Sequence, residues 1–190
     1  MFAIPVEYQR VNVVAFDPGG DTTGVAVLTI NPSTAEIFSG SAWTLKTSKI
    51  QAFTGLDPDF HSERVCKLKS LSLEVYSILE QTRPWAVGCE APFFNRLMPS
   101  AYGSLTEVVS NIQNTCLHYN PYTRFELVSP QLVKKSVGVA GKKGKEIMRA
   151  AVGSDTALSS KLLVDLNTLD EHAIDALAVA RCMINYRLFL

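Results

Sequence analysis

Apolar positions along this chain fall into two regimes. Up to about position 45 they form short β-branched runs closed by turn residues, and beyond position 62 they recur at helical spacing. Residues 11–17 are an apolar run halted by Pro18-Gly19, the pattern of a buried strand that ends in a tight turn. Residues 23–30 and 35–45 predict two more strands with Asn31-Pro32-Ser33 as the turn between them, so the three form an antiparallel meander. Residues 46–60 mix Gly, Pro, Ser and Asp without a period and predict a loop, which at such length in a compact domain is more often functional than idle.

Between residues 62 and 81, Val65, Leu68, Leu71, Leu73, Val75, Ile78 and Leu79 recur near helical spacing, and Arg83-Pro84 ends the run. A short buried strand over 85–90 follows. Further helices are predicted over 102–118, over 130–137 and from about 145, with a strand at 125–128 between the first two. The last helix covers about 170–186. Thr168 and Glu171 at its start match the S/T-x-x-E capping box. A meander followed by alternating helices and strands predicts an α/β fold, a mixed sheet with helices on its faces.

Composition narrows the function classes. With 190 residues, 47% of them hydrophobic, the chain can bury a full core as one domain, residues 1–190. The 18 basic and 18 acidic residues cancel, so any attraction to nucleic acid must come from a local patch. Cys66, Cys89, Cys116 and Cys182 lie far apart without metal-ligand spacing, which argues against structural zinc and a disulfide framework and for reduced thiols in a cytoplasmic protein. No run approaches the roughly 20 apolar residues of a membrane span, and Glu7 and Arg10 stand where a signal peptide needs apolar residues.

Three acids carry the candidate chemistry. Asp17 closes an apolar strand, where burial is costly unless a metal or a hydrogen-bond network compensates it, although Asp-Pro-Gly is also ordinary turn chemistry. Glu90 repeats the arrangement after 85–89. If the two strands pair in parallel, both carboxylates reach the carboxyl edge of the sheet, where α/β proteins bind ligands. On the last helix, Asp175 lies three residues from His172 and four from Glu171, so either pair can share a face. Capping is the favoured role for Glu171, whereas Asp175 sits among alanines suited to close packing and has no such explanation. Thr23-Gly24 is expected to let the backbone pass close to a bound ion or phosphate. Lys134, Lys135, Lys142, Lys143 and Lys145, interrupted by Gly138, Gly141 and Gly144, form the basic patch that the neutral total conceals, a candidate mobile loop along a phosphate backbone.

Together these motifs resemble the RuvC family of Holliday junction resolvases, within the ribonuclease-H-like superfamily. Asp17 through Gly24 match its D-P-G-x-x-x-T-G start, Glu90 stands at its second acid, and His172-x-x-Asp175-Ala176-Leu177-Ala178 stands at its C-terminal motif. The resemblance implies a ribonuclease-H-like mixed five-stranded sheet, a homodimer, and paired symmetric nicks across four-way DNA junctions. It also implies two Mg²⁺ ions, with Mn²⁺ as a substitute, held by Asp17, Glu90, Asp175 and a fourth ligand, His172 or Glu171. Lys134 and Lys145 stand at the family's basic positions. Phe93 matches the aromatic that disturbs base stacking at the junction, with Phe94 beside it to share or take that role. Residues 1–10 extend beyond the usual family start, and with the unmatched 46–60 loop they suggest a divergent, phage-encoded member.

Two other classes compete. Actin-like ATPases also carry a phosphate loop on a first hairpin, but they duplicate the domain to clamp a nucleotide, and this chain is too short for that. A non-catalytic junction-binding protein would have no need of three converging acids.

Overall fold

The computed structural model describes residues 10–47, 55–57, 59–94, 96, 99–141, 145–186 and 188, with the backbone alone at Pro99 and Lys145. Three strands open the chain: β1 (Val11–Pro18), β2 (Thr22–Ile30) and β3 (Ile37–Lys46). Helix α1 (Glu63–Thr82), strand β4 (Ala86–Glu90), helix α2 (Pro99–Tyr119) and strand β5 (Arg124–Val128) follow. Helices α3 (Pro130–Ser136), α4 (Lys145–Ser154) and α5 (Thr156–Ser159) lead through a 3₁₀ turn (Leu166–Thr168) into α6 (Glu171–Tyr186). Among the described residues the sheet has five strands in the order β3-β2-β1-β4-β5.

The meander forms as predicted, with β1–β2 and β2–β3 antiparallel. β4 then joins β1 in parallel, Phe16 opposite Cys89, and β5 joins β4 in parallel. Because side chains alternate across a strand, β1 feeds two cores. Val13 and Ala15 pack under α6, while Val14 and Phe16 pack under α1 and α2, and all four are fully buried. A central strand covered on both faces reads as a continuous apolar run, which is why 11–17 was legible.

Three local expectations change. Ala35 was expected inside the third strand but lies in the turn, at φ 61, and β3 starts at Ile37. The Asn31 side chain accepts from the Ser33 and Thr34 N–H groups, and its carbonyl accepts from Ala35, so the turn runs longer than Asn-Pro-Ser alone suggests. The second change covers residues 156–168, which had no assigned structure. They form α5 and the 3₁₀ turn, and between these Leu162 bridges to Gly40, covering part of the β3 edge through Gly40 N–H to Lys161 O and Leu163 N–H to Gly40 O. The third concerns the 46–60 loop: most of it lies outside the described residues, while at its start Thr47 is buried and its N–H donates to Asp21 O.

Helix α6 occupies the centre of one core, with ten buried residues among its 16. Its alanines permit close approach to the sheet, and two glycines on the sheet complete the seat. A Cβ at Gly24 would stand 1.9 Å from the His172 carbonyl oxygen, and one at Gly88 would stand 2.6 Å from Met183 Cγ. The expectation that Gly24 makes room for a ligand is therefore corrected: it makes room for the first turn of α6. The two positions should respond differently to alanine. Gly24→Ala meets backbone and must displace the helix start, whereas Gly88→Ala meets a flexible thioether that can swing aside. Thermal melts should show Gly24→Ala destabilised by about 1–3 kcal/mol or more and Gly88→Ala by clearly less.

Candidate active site at the carboxyl edge of the sheet

The carboxyl ends of β1 and β4 deliver Asp17 and Glu90 to the same sheet edge, and the first two turns of α6 deliver His172 and Asp175 to meet them. Asp17, 7% exposed, accepts a hydrogen bond at Oδ2 from His172 Nδ1 at 2.9 Å. The other ring nitrogen, Nε2, lies 2.8 Å from Thr22 Oγ1. Both nitrogens of His172 are thus engaged, and the bond to Asp17 is the main reason its pKa lies above the usual histidine value. The turn after Asp17 is pinned from outside: Lys67 pairs with Asp21 at 2.9 Å, and Arg64 joins α1 to Ser104 O and Glu107 of α2.

The acids perturb one another. Burial, then the charges of Asp17 and Asp175 and a hydrogen bond with Asp17, push the Glu90 carboxyl up to about 8, with Lys134 opposing. Burial and Asp17 likewise raise Asp175 to about 6, against His172 and Lys134. Such shifts mean that burial and mutual repulsion at this edge outweigh the opposing charges of Lys134 and His172. Among the described residues, no three His, Cys, Asp or Glu side chains are gathered tightly enough to form a finished metal cage. The chemistry of the set still fits a hard divalent ion: three carboxylates supply oxygen donors, and a bound cation would relieve the repulsion that raises Glu90.

Beside this cluster opens a cleft of about 730 Å³. Glu90, Glu171 and Asp175 line it together with Lys134, Glu146, Arg149 and Phe93. Asp17 and His172 are not among its lining residues; of the expected four, Glu90 and Asp175 line the cleft. Lys134 is presented by α3, whose start is fixed by Pro130 and by the Ser129 cap on Leu132 N–H and whose Val133 is anchored in the core. Lys135 is exposed outside the cleft. Phe93 is 63% exposed, while Phe94 turns to an edge-on contact with Tyr102, ring centroids 5.4 Å apart. Lys142 and Lys143 lie outside the described residues, and Lys145 is described only as the first residue of α4.

The capping box does not form. Asp170 caps α6 instead: its Oδ1 accepts from Ala173 N–H at 3.0 Å and from the Thr44 hydroxyl at 2.5 Å. Burial works to raise the Asp170 pKa, but these two bonds hold it below the usual aspartate value. The Thr168 hydroxyl donates to Asp165 O within the 3₁₀ turn. Glu171 lines the cleft. Sequence reasoning also missed Thr22, Thr44 and Arg149. The partner of Thr44 lies 126 positions away and those of Arg149 are main-chain carbonyls, so no local pattern marks them.

No protein-family model matches the chain, and none of the curated proteins does. Solved structures do. Thermus thermophilus RuvC in complex with a Holliday junction substrate superposes with a TM-score of 0.65 at 18% identity, over 90% of this chain and 92% of that one. The fold is that of RuvC. A second Thermus thermophilus RuvC structure gives 0.63 at 20% identity, again over 90% and 92%. The yeast mitochondrial Holliday junction resolvase Ydc2 gives 0.56 at 10% identity, over 90% of this chain and 78% of that one. The ribonuclease-H-like sheet expected from the motifs is therefore present, and the RuvC fold accounts for the meander, the parallel additions of β4 and β5, and the position of α6.

The raised acid has a stability consequence with a definite sign. Glu90 ionises less readily in the folded protein than in the unfolded chain, so its burial costs stability above its ordinary pKa, increasingly up to about pH 8, and costs little near pH 4–5. Glu90→Gln in metal-free buffer should raise Tm by several degrees at pH 8, a gain of order 1–3 kcal/mol, and the gain should vanish towards pH 4.5. A pH series of thermal melts checks it.

Proposed function

We propose that this protein is a metal-dependent, structure-selective DNA endonuclease that resolves four-way junctions by paired symmetric nicks. The observation that carries the reading is the cluster of buried Asp17 with half-buried Glu90 and Asp175 at the carboxyl edge of a RuvC-fold sheet, beside a cleft that also bears Lys134 and Phe93. The solved neighbours are resolvases, one of them on a Holliday junction substrate, which supports branched DNA as the partner class. A homodimer belongs to this reading, since two copies are what two symmetric nicks require, and a cytoplasmic or phage-related setting suits it. Among the described residues no helix is long and apolar enough to cross a membrane.

Asp17, Glu90 and Asp175 would hold one or two Mg²⁺ ions, or Mn²⁺ in their place. Such ions, when bound, activate water and stabilise the leaving 3′ oxygen. The residues of the chain supply the rest. His172 donates from Nδ1 to Asp17 and fixes the direction of that carboxylate, while Thr22 occupies Nε2. In this arrangement the imidazole orients Asp17 and stores a proton, and it can ligate a metal through Nε2 only by releasing Thr22. Glu171, facing the cleft with oxygen donors, is the better placed fourth ligand. Lys134 meets phosphate oxygens opposite the acids, and Phe93 presses on the base stack at the mouth. Lys135, Lys142, Lys143 and Lys145 would add further phosphate contacts.

The test is cleavage of an end-labelled mobile four-way junction in Mg²⁺ and in Mn²⁺ against linear duplex of the same sequence. Ligatable paired nicks confined to the junction are expected. Binding without cleavage in either metal would favour a non-catalytic junction binder and overturn the enzymatic reading. Asp17→Asn and Asp175→Asn should each abolish cleavage, by about 10³-fold or more, while junction binding persists. Lys134→Ala should weaken binding on every sequence alike and reduce the slope of log affinity against log salt by about 1; an unchanged slope places the DNA elsewhere.

A further inference from the structure

Arg149 stands apart from the motifs that mark the site, yet it reaches into the cleft from α4 and does not end on an acid. Its Nη1 donates to Leu166 O at 2.5 Å and its Nη2 to Leu169 O at 2.7 Å. Those two carbonyls flank the last residues before α6: Leu166 opens the 3₁₀ turn, and Leu169 immediately precedes the cap Asp170. From the other side, the Thr44 hydroxyl of β3 holds Asp170 itself. The loop that launches α6 is therefore gripped between β3 and α4. The first turn of α6 also has little freedom of its own, because the His172 carbonyl rests on Gly24.

We infer that Arg149 is a positioning residue for the candidate active site, a clamp that sets the entry of α6 and so the placement of His172 and Asp175 against Asp17. This rests on the nuclease reading above. The chemistry of the side chain supports a clamp over a phosphate contact. A guanidinium presents a rigid planar fork that can bond two carbonyls three residues apart, whereas lysine offers a single point charge. Two of its nitrogens are already committed to the backbone, at short distances, in a part-buried setting. Lys134, in contrast, acts on the acids by its charge, which works to lower the Glu90 and Asp175 pKa values. The nearby Arg181 makes a useful comparison. It pairs with Asp155 at 2.6 Å further along α6, in the same α4–α5–α6 region, but does not touch the loop before the helix.

The test compares Arg149→Lys, Arg149→Ala and, as a structural control, Asp155→Asn. If Arg149 is the clamp, lysine fails as alanine does. Both variants lower kcat on the junction about 10–100-fold, the range for groups that hold a ligating side chain from behind, with KM and the salt slope of binding unchanged. Both also weaken Mg²⁺ binding measured calorimetrically without DNA and speed amide exchange across residues 166–175. Asp155→Asn lowers Tm but changes none of these. If Arg149→Lys restores wild-type turnover and Mg²⁺ affinity while Arg149→Ala raises KM and flattens the salt slope, Arg149 is a phosphate contact and the inference falls. It falls equally if amide exchange over 166–175 is unchanged in both variants. Should the wild-type protein cleave no junction, the nuclease reading fails by itself, and amide exchange and Mg²⁺ affinity still decide whether the clamp exists.

Discussion

Everything at the candidate site depends on how closely the start of α6 can lie against β2. Gly24 is opposite Asp17 in the β1–β2 ladder, and its missing side chain is the space filled by the His172 carbonyl. That contact brings His172 Nδ1 to 2.9 Å from Asp17 and brings Asp175 near enough for the Asp17 charge to raise its pKa. A larger residue at position 24 would separate the helix acid from the strand acids. The glycine thus links packing to electrostatics: the same close approach that builds the core concentrates three carboxylates at one edge.

The concentration is costly, and the surroundings show how the cost is carried. Asp17 is stabilised by His172, and the cap Asp170 by Thr44 and the helix amide. Glu90, which shares a hydrogen bond with Asp17, and Asp175 shift upward instead, through burial first and then the neighbouring acid charges. A protein selected for stability alone would replace such groups, since acids crowded in a partly buried edge are destabilising when ionised. Their presence beside a cleft with a lysine and an exposed phenylalanine, on the fold of RuvC, is what favours a site that works on phosphodiesters over a structural network.

Much of this was legible along the chain. The apolar run into Asp17 and the short run into Glu90 marked buried strands, because strands buried on both faces carry nearly continuous hydrophobicity, whereas their parallel pairing emerges only in the β1–β4 ladder. The alanines around Asp175 marked a helix pressed on the sheet, whereas Lys134 stood out as part of a basic run and not as a residue that lines one cleft with Glu90 and Asp175. What was not legible depended on contacts between distant segments. The cap of α6 moved from Thr168 to Asp170 because Thr44, on the edge strand, donates to Asp170. Gly24 looked like room for a ligand but is room for a helix. Thr22 and Arg149 act on a ring nitrogen and on backbone carbonyls whose positions exist only after folding, and the short α5 and the 3₁₀ turn carry too few residues to show a period.

The central claim is that Asp17, Glu90 and Asp175 form a cation site held open at the expense of stability. Calorimetric titration of Mg²⁺ into the protein at pH 7, repeated in buffers of different ionisation enthalpy, measures the protons displaced on binding. The account predicts binding with net proton release, because the Glu90 carboxyl that holds a proton near neutrality must give it up, and the release should shrink above pH 8. Absence of binding to the wild-type protein, or binding without proton release that survives Glu90→Gln and Asp175→Asn, would contradict it.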